Sequence, residues 1–211
     1  MLKEPRPGRV KTRLGRDIGM VSAAWWFRHQ TARLLRRLAD PRWELILAVS
    51  PDRAGMQSCV WPAHLPRLAQ GQGDLGDRMA RIMRTLPPGP VCIIGGDIPG
   101  VTRAHVGRAF AALGDHDAVF GPAPDGGYWL TGLKRSAAVP AGLYGDVRWS
   151  SAHALRDSIA TLPGARIALV DTLRDVDTAA DLDVGGGGGG PPRGRGGFCG
   201  GAAAGVGGGG I

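Results

Sequence analysis

What this sequence lacks narrows its role before any motif is considered. No run of about 18 apolar residues occurs, so no segment is expected to span a bilayer. No apolar stretch follows the N-terminal cations, so no secretory signal is expected either. Cysteine is scarce: Cys59, Cys92 and Cys199 make an odd count without a C-x-x-C pair. That pattern suits free thiols in a reducing cytoplasm better than a disulfide framework. Aromatic residues are only 6% of the chain and do not interleave with the basic residues. A net charge of +8 therefore lacks the stacking platform of a single-strand binder, and no nucleic-acid partner is expected. No internal repeat is present. No glycine loop ends in Gly-Lys-Ser/Thr, which argues against a P-loop nucleotidase.

Glycine, by contrast, is abundant and unevenly placed. Residues 185–211 hold 16 of the 36 glycines, six of them in a row, with no periodic apolar pattern. Such a segment cannot bury enough surface to offset its ordering entropy. Residues 1–184 are expected to form one α/β domain and residues 185–211 a disordered tail.

Within 1–184, short apolar runs alternate with helical patterns. Strands are expected at 44–50, 91–94, 117–120, 127–133 and 167–173. Helices are expected at 22–38, 76–86, from the cap Thr102 to about Leu113, and after Thr178-x-x-Asp181. Along 22–38 the stripe Ala24, Phe27, Thr31, Leu34, Leu35 and Leu38 faces inward. Trp25 lies off it and is expected to pack against a neighbouring element, with a binding role as the alternative. Several strands are apolar on both faces, as in a mostly parallel sheet covered by helices.

In such sheets ligands sit beyond the carboxyl ends of the strands. Asp97 follows the strand 91–94 after two glycines and is either a divalent-metal ligand or a turn cap. Asp175 and Asp177 alternate after the last strand, so both face one way. One of them is a second metal carboxylate or a helix cap. Asp125, in Gly121–Leu130, either accepts substrate hydroxyls or simply closes a hairpin. Trp149 and Ser150 offer an aromatic face with a hydroxyl, or else a cap. Lys3, Arg6, Arg9, Lys11 and Arg13 crowd a Pro/Gly-shaped opening, which suits a diphosphate or triphosphate.

Gly71-x-Gly73-x-x-Gly76, with Asp97 about 20 residues on, also fits a dinucleotide-binding loop. Three features weaken that reading. Residues 65–70 contain a proline and a charge where a strand is required. Asp74 would repel a pyrophosphate. A strand and a helix precede the loop, which should lie in the first βα turn.

Six ordered motifs carry a resemblance: LKEPRPGRVKTRL (2–14), QGQGDLGDRM (70–79), IGGDIPGVT (94–102), GPAPDGGYWLTGL (121–133), RWSSAHAL (148–155) and DVDTAADL (175–182). Together they resemble a bacterial glycosyltransferase-A-like family of formerly unknown function. Some of its members are labelled radical-SAM/selenodomain-associated transferases or arsenosugar-pathway glycosyltransferases. The resemblance implies a GT-A, nucleotide-diphospho-sugar transferase-like three-layer sandwich, similar to that of nucleotidyltransferases. Against that pattern the first strand is truncated, because the phosphate loop begins almost at Met1.

The resemblance also implies an Mg²⁺- or Mn²⁺-dependent transferase with a nucleotide-activated donor and a small-molecule acceptor. Asp97 and Asp177 would hold the metal, and Lys11 and Arg13 the phosphates. Gly71, Gly73, Asp74, Gly76 and Arg78 would lie near the nucleoside. Asp97 and Asp125 would be catalytic, and Gly126, Gly127, Tyr128, Trp149 and Ser150 would line the acceptor side. Guanylyl or cytidylyl transfer to a phosphorylated small molecule is the alternative, and a dinucleotide oxidoreductase a distant one.

Overall fold

The computed structural model describes residues 1–184. The expected tail at 185–211 and Cys199 lie outside the described residues.

Alternation along the strands builds the molecule. β1 (Leu2–Lys3), β2 (Leu47–Ser50) and β3 (Arg67–Ala69) pair in parallel with β2 central. β4 (Val91–Ile94), β5 (Ala118–Pro122), β6 (Tyr128–Leu133) and β7 (Ile167–Leu169) form a second group in the order β4-β6-β5-β7. β6 runs antiparallel to both neighbours, while β5 and β7 are parallel. The Met1 nitrogen donates to the Ile94 carbonyl at 2.6 Å, which sets β1 beside β4 and joins the two groups.

The helices are α1 (Thr12–Ile18), α2 (Met20–Leu38), α3 (Asp52–Gln57), α4 (Leu75–Thr85), α5 (Arg103–Ala112), α6 (Ala154–Ala160) and α7 (Ala179–Val184). Ala118 and Phe120 of β5 pack with Met79, Ile82 and Met83 of α4 and Ala154 of α6. Val119, between them, packs on the other face with Leu34 and Leu38 of α2 and Val106 and Ala109 of α5. Side chains alternating across one strand thus bind helices to both faces, giving three layers. Phe120 is fully buried. Phe120→Ala is expected to cost about 3–5 kcal/mol through the cavity it leaves, read as a lower urea midpoint at unchanged slope.

The expected strands at 44–50 and 167–173 are shorter in the structure. β2 pairing starts where the Leu47 N–H reaches the Pro66 carbonyl at 2.9 Å. Beyond β7, Asp171 leaves the ladder: its carbonyl takes the Trp129 indole N–H, and its carboxylate pairs with Arg108.

Two expectations are corrected outright. Residues 67–69 do form a strand, β3. It is an edge strand, Pro66 contributes only its carbonyl, and the Arg67 guanidinium is absorbed by the carbonyls of Met56, Ser58 and Trp61. Trp25 does not pack against another element: it is 61% exposed and stacks on His29 of its own helix, with ring centroids 3.7 Å apart. Among the described residues no helix is long and apolar enough to cross a membrane.

Candidate functional site

Three loops converge at one edge of the sheet. The first leaves β4 through Gly95 and Gly96 to Asp97. A side chain at Gly96 would overlap Leu2, so glycine is what lets this loop pass against β1. The second follows β7. Val176 is buried and its N–H donates to the Asp97 carbonyl at 3.3 Å. With Val176 turned in, its neighbours Asp175 and Asp177 are both turned out toward Asp97. The Asp181 carboxylate fixes this segment, accepting from the Thr178 N–H and hydroxyl and from the Asp177 N–H. The third is the N-terminal loop. Val10 is buried and Lys11 takes the left-handed conformation (φ 45°, ψ 49°) at the start of α1.

The Lys11 side chain enters the space between the acids. Its Nζ lies 2.6 Å from Asp97 Oδ2, 2.9 Å from Asp177 Oδ1 and 4.0 Å from Asp175 Oδ2. Arg13 Nη1 reaches Asp177 Oδ2 at 3.2 Å. One oxygen from each of the three carboxylates lies within 4.8 Å of the others. Lys11 is only 6% exposed, while the acids are 32–41% exposed. Burial by itself lowers the Lys11 pKa, but the charge and hydrogen bonds of Asp97 and then Asp177 carry it above its ordinary value. Burial first, and then the Asp177 charge, pushes the Asp175 carboxyl up to about 6. Three carboxylates thus share two cations, Lys11 and Arg13.

Beside the triad opens a cleft of about 180 Å³ walled by Asp97, Asp125, Asp175, Tyr128, Trp149 and Leu75, with Gly127 and Ser150 at its lining. Asp125 is exposed at the β5–β6 turn, and its Oδ1 accepts the Gly127 N–H at 2.9 Å. The hairpin role is thus real, and the cleft position comes with it. Tyr128 lines the cleft with its ring, while its hydroxyl lies 3.1 Å from Ser158 Oγ. Trp149 is held by two anchors. Arg148 grips Asp157 of α6 with two 2.8 Å bonds, and the indole N–H reaches Asp74 at 3.2 Å.

Gly126 does not line this cleft. It has φ +85°, and a Cβ there would collide with the Ala152 backbone. Gly126→Ala is expected to lose about 1–3 kcal/mol of stability and to displace the Trp149 segment, seen as a changed tryptophan emission.

The glycine segment 71–78 is tied into the protein by its own contacts. Asp74 caps α4 in a reciprocal box with Asp77, a pairing in which its carboxylate accepts rather than repels. The Gly71 N–H donates to Asp52, and Arg78 folds back onto the Gly73 carbonyl. Gly76 is glycine because the Tyr144 carbonyl and the Trp149 ring press on it. None of Gly71, Gly73, Gly76 and Arg78 lines the cleft; Leu75 is the segment's contribution to its wall. Lys11 is likewise held by acids rather than presented bare to a phosphate. Asp175 completes the triad; the D-V-D alternation was its only signal in sequence.

This fold has close counterparts. A Desulfovibrio desulfuricans G20 structure named "putative nucleotide-diphospho-sugar transferase" is similar at TM-score 0.78 and 31% identity, over 87% of this chain and 82% of that one. The 4-diphosphocytidyl-2C-methyl-D-erythritol synthase of Anaerococcus prevotii DSM 20548 shares the fold at TM-score 0.52 and 13% identity, over 75% and 83%. No curated protein matches the chain. The fold is that of the nucleotide-diphospho-sugar transferases, and transferase neighbours support a transferase at a general level; the radical-SAM and arsenosugar labels gain nothing from them. Residues 33–151, more than half of the chain, match the family described as "uncharacterized protein conserved in bacteria (DUF2064)", and the chain belongs to that family.

Proposed function

We propose that this protein is a divalent-metal-dependent glycosyltransferase that uses a nucleotide-activated sugar. The observation that carries the reading is the gathering of Asp97, Asp175 and Asp177 around a single cationic group at the mouth of the cleft. Three hard oxygen donors suit Mg²⁺ or Mn²⁺, and the seated Lys11 ammonium shows that the spot stabilises positive charge. When bound there, such an ion would neutralise charge developing on a leaving diphosphate.

The chain's own residues supply the rest. Arg13, exposed beside Asp177, and Lys11 offer donors to diphosphate oxygens. Trp149 and Leu75 give the cleft an apolar wall for a sugar ring, and Asp125 can accept from a hydroxyl. An acceptor hydroxyl attacks the anomeric carbon, the bond from that carbon to the diphosphate breaks, and the nucleoside diphosphate leaves. Asp125 is the cleft carboxylate outside the triad and is the candidate to take the hydroxyl proton.

Sugar transfer is favoured over nucleotidyl transfer by the cleft lining. It includes Asp125 and Asp175 but no Lys, Arg or His. A phosphorylated acceptor would meet like charge there, whereas an uncharged polyol would not. Free thiols at Cys59 and Cys92, the latter pushed up to about 12 by burial, fit a cytoplasmic setting.

The test is product analysis with UDP-, GDP- and CDP-sugars and with NTPs, each in Mg²⁺ or EDTA. Release of nucleoside diphosphate from a nucleotide sugar, stopped by EDTA, supports the proposal. Release of pyrophosphate from an NTP moves it to nucleotidyl transfer. Binding of NADH alone, indifferent to EDTA, replaces it with the dinucleotide reading.

A further inference from the structure

Lys11 occupies the very place a divalent ion would need. Its Nζ makes ion-pair contacts of 2.6 and 2.9 Å with Asp97 and Asp177 and lies 4.0 Å from Asp175. An ion bonded to those same oxygens would stand about 2–2.5 Å from them. The ammonium and the ion cannot share that volume, and both are positive. We propose that Lys11 is the resident counter-ion of the triad, and that a metal must displace it. The displaced ammonium then lacks a partner unless the donor's diphosphate is present to receive it.

Ion and diphosphate therefore bind as a pair. The ion alone must evict Lys11 into an unpaired state. The diphosphate alone finds Lys11 occupied and the acids facing it. Each ligand removes the obstacle to the other, which is positive coupling in the thermodynamic sense and must be reciprocal. The backbone suits such a hinge. Lys11 sits at φ 45° between the buried Val10 and the first turn of α1, and its carbonyl, not its side chain, is what the helix uses, through the Gly15 N–H at 2.8 Å. The side chain can leave the acids without unwinding α1. Lys11 is then a positioning residue that delivers its charge to the phosphates only when the ion is in place. This inference rests on the divalent-ion reading above.

The experiment is Mn²⁺ binding followed by electron paramagnetic resonance, with and without UDP, GDP or CDP. Mn²⁺ held by free nucleotide is measured without protein and subtracted. In the unaltered protein the best diphosphate is expected to tighten Mn²⁺ binding about 10-fold or more, within the usual range of coupling. In Lys11→Met, Mn²⁺ alone is expected to bind about 5-fold or more tighter than in the unaltered protein, and the diphosphate's effect to shrink below about 3-fold. Equal Mn²⁺ affinity in both proteins overturns the inference while leaving the ion site intact. No Mn²⁺ binding to either protein, with any diphosphate, overturns the ion site and the inference together.

A second measurement reads the unaltered protein and does not depend on Lys11→Met. Lys3, Lys11 and Lys134 are the only lysines, so ¹⁵N-lysine labelling gives few ammonium signals, and Lys11→Arg identifies the Lys11 signal. That signal is expected to move when Mg²⁺ and the diphosphate are added together and to stay nearly fixed with either alone. A signal unmoved by both together overturns the inference.

Discussion

Asp97→Asn is expected to lower kcat/KM for the nucleotide sugar by about 10²–10³-fold, equivalent to roughly 3–4 kcal/mol of transition-state stabilisation. Asp97 is the acid in closest contact with the seated cation, at 2.6 Å, and it also borders the cleft. Asparagine keeps the shape and the loop geometry but removes the charge, so the fold is expected to survive. The Asp97 backbone carbonyl still accepts the Val176 N–H, which holds the neighbouring loop in place. Asp177→Asn is expected to show a smaller loss, because it also releases Arg13, which Asp177 otherwise holds, to neutralise the diphosphate. Steady-state kinetics across a Mg²⁺ series reads both effects. If Asp97→Asn loses less than about 3-fold at saturating Mg²⁺, the carboxylate does not hold the ion.

Lys11→Met is expected to destabilise the metal-free protein by about 2 kcal/mol. Breaking a fully buried pair typically costs about 3–5 kcal/mol, because the charge left behind is uncompensated. Here the acids are 32–41% exposed, so water screens part of the residual repulsion. For a chain of this size that loss lowers Tm by about 4–8 °C. Millimolar Mg²⁺ replaces the missing cation and is expected to recover most of it, since a ligand of the native state stabilises in proportion to its occupancy. The unaltered protein gains less from Mg²⁺ alone because its counter-ion is already in place. A melting temperature unchanged by the substitution would mean that the ion pairs at Lys11 carry no net stability.

Much of this arrangement could be read from residues alone, and the parts that could not have physical causes. β4 is legible because Val91–Ile94 is an uninterrupted apolar run ending in glycines. α2 is legible because its inward stripe repeats at helical spacing. β3 is hidden because its first residue carries a charge, and only distant carbonyls of the 56–61 segment neutralise it. α1 and α6 are hidden because neither has a side-chain cap and each spans only 7 residues. Asp97 and the Asp175–Asp177 pair stand at strand ends, where the rule for open sheets puts ligands. The direction of Lys11 is not legible. A cationic loop suggests phosphate, and only the approach of three acids from two other loops shows that the lysine first answers to them. The glycines at 71, 73 and 76 meet a dinucleotide pattern by spacing, and the spacing does not reveal that they also admit Arg81, Asp77 and Tyr144 at close range.

The most direct check of the central claim is equilibrium dialysis of UDP, GDP and CDP against the unaltered protein and Asp97→Asn/Asp177→Asn, in Mg²⁺ and in EDTA. The unaltered protein should bind at least one diphosphate about 10-fold or more tighter in Mg²⁺ than in EDTA, and the double variant should bind it weakly in both. Binding that is equally tight in EDTA, or unaffected by loss of the two acids, would contradict the account.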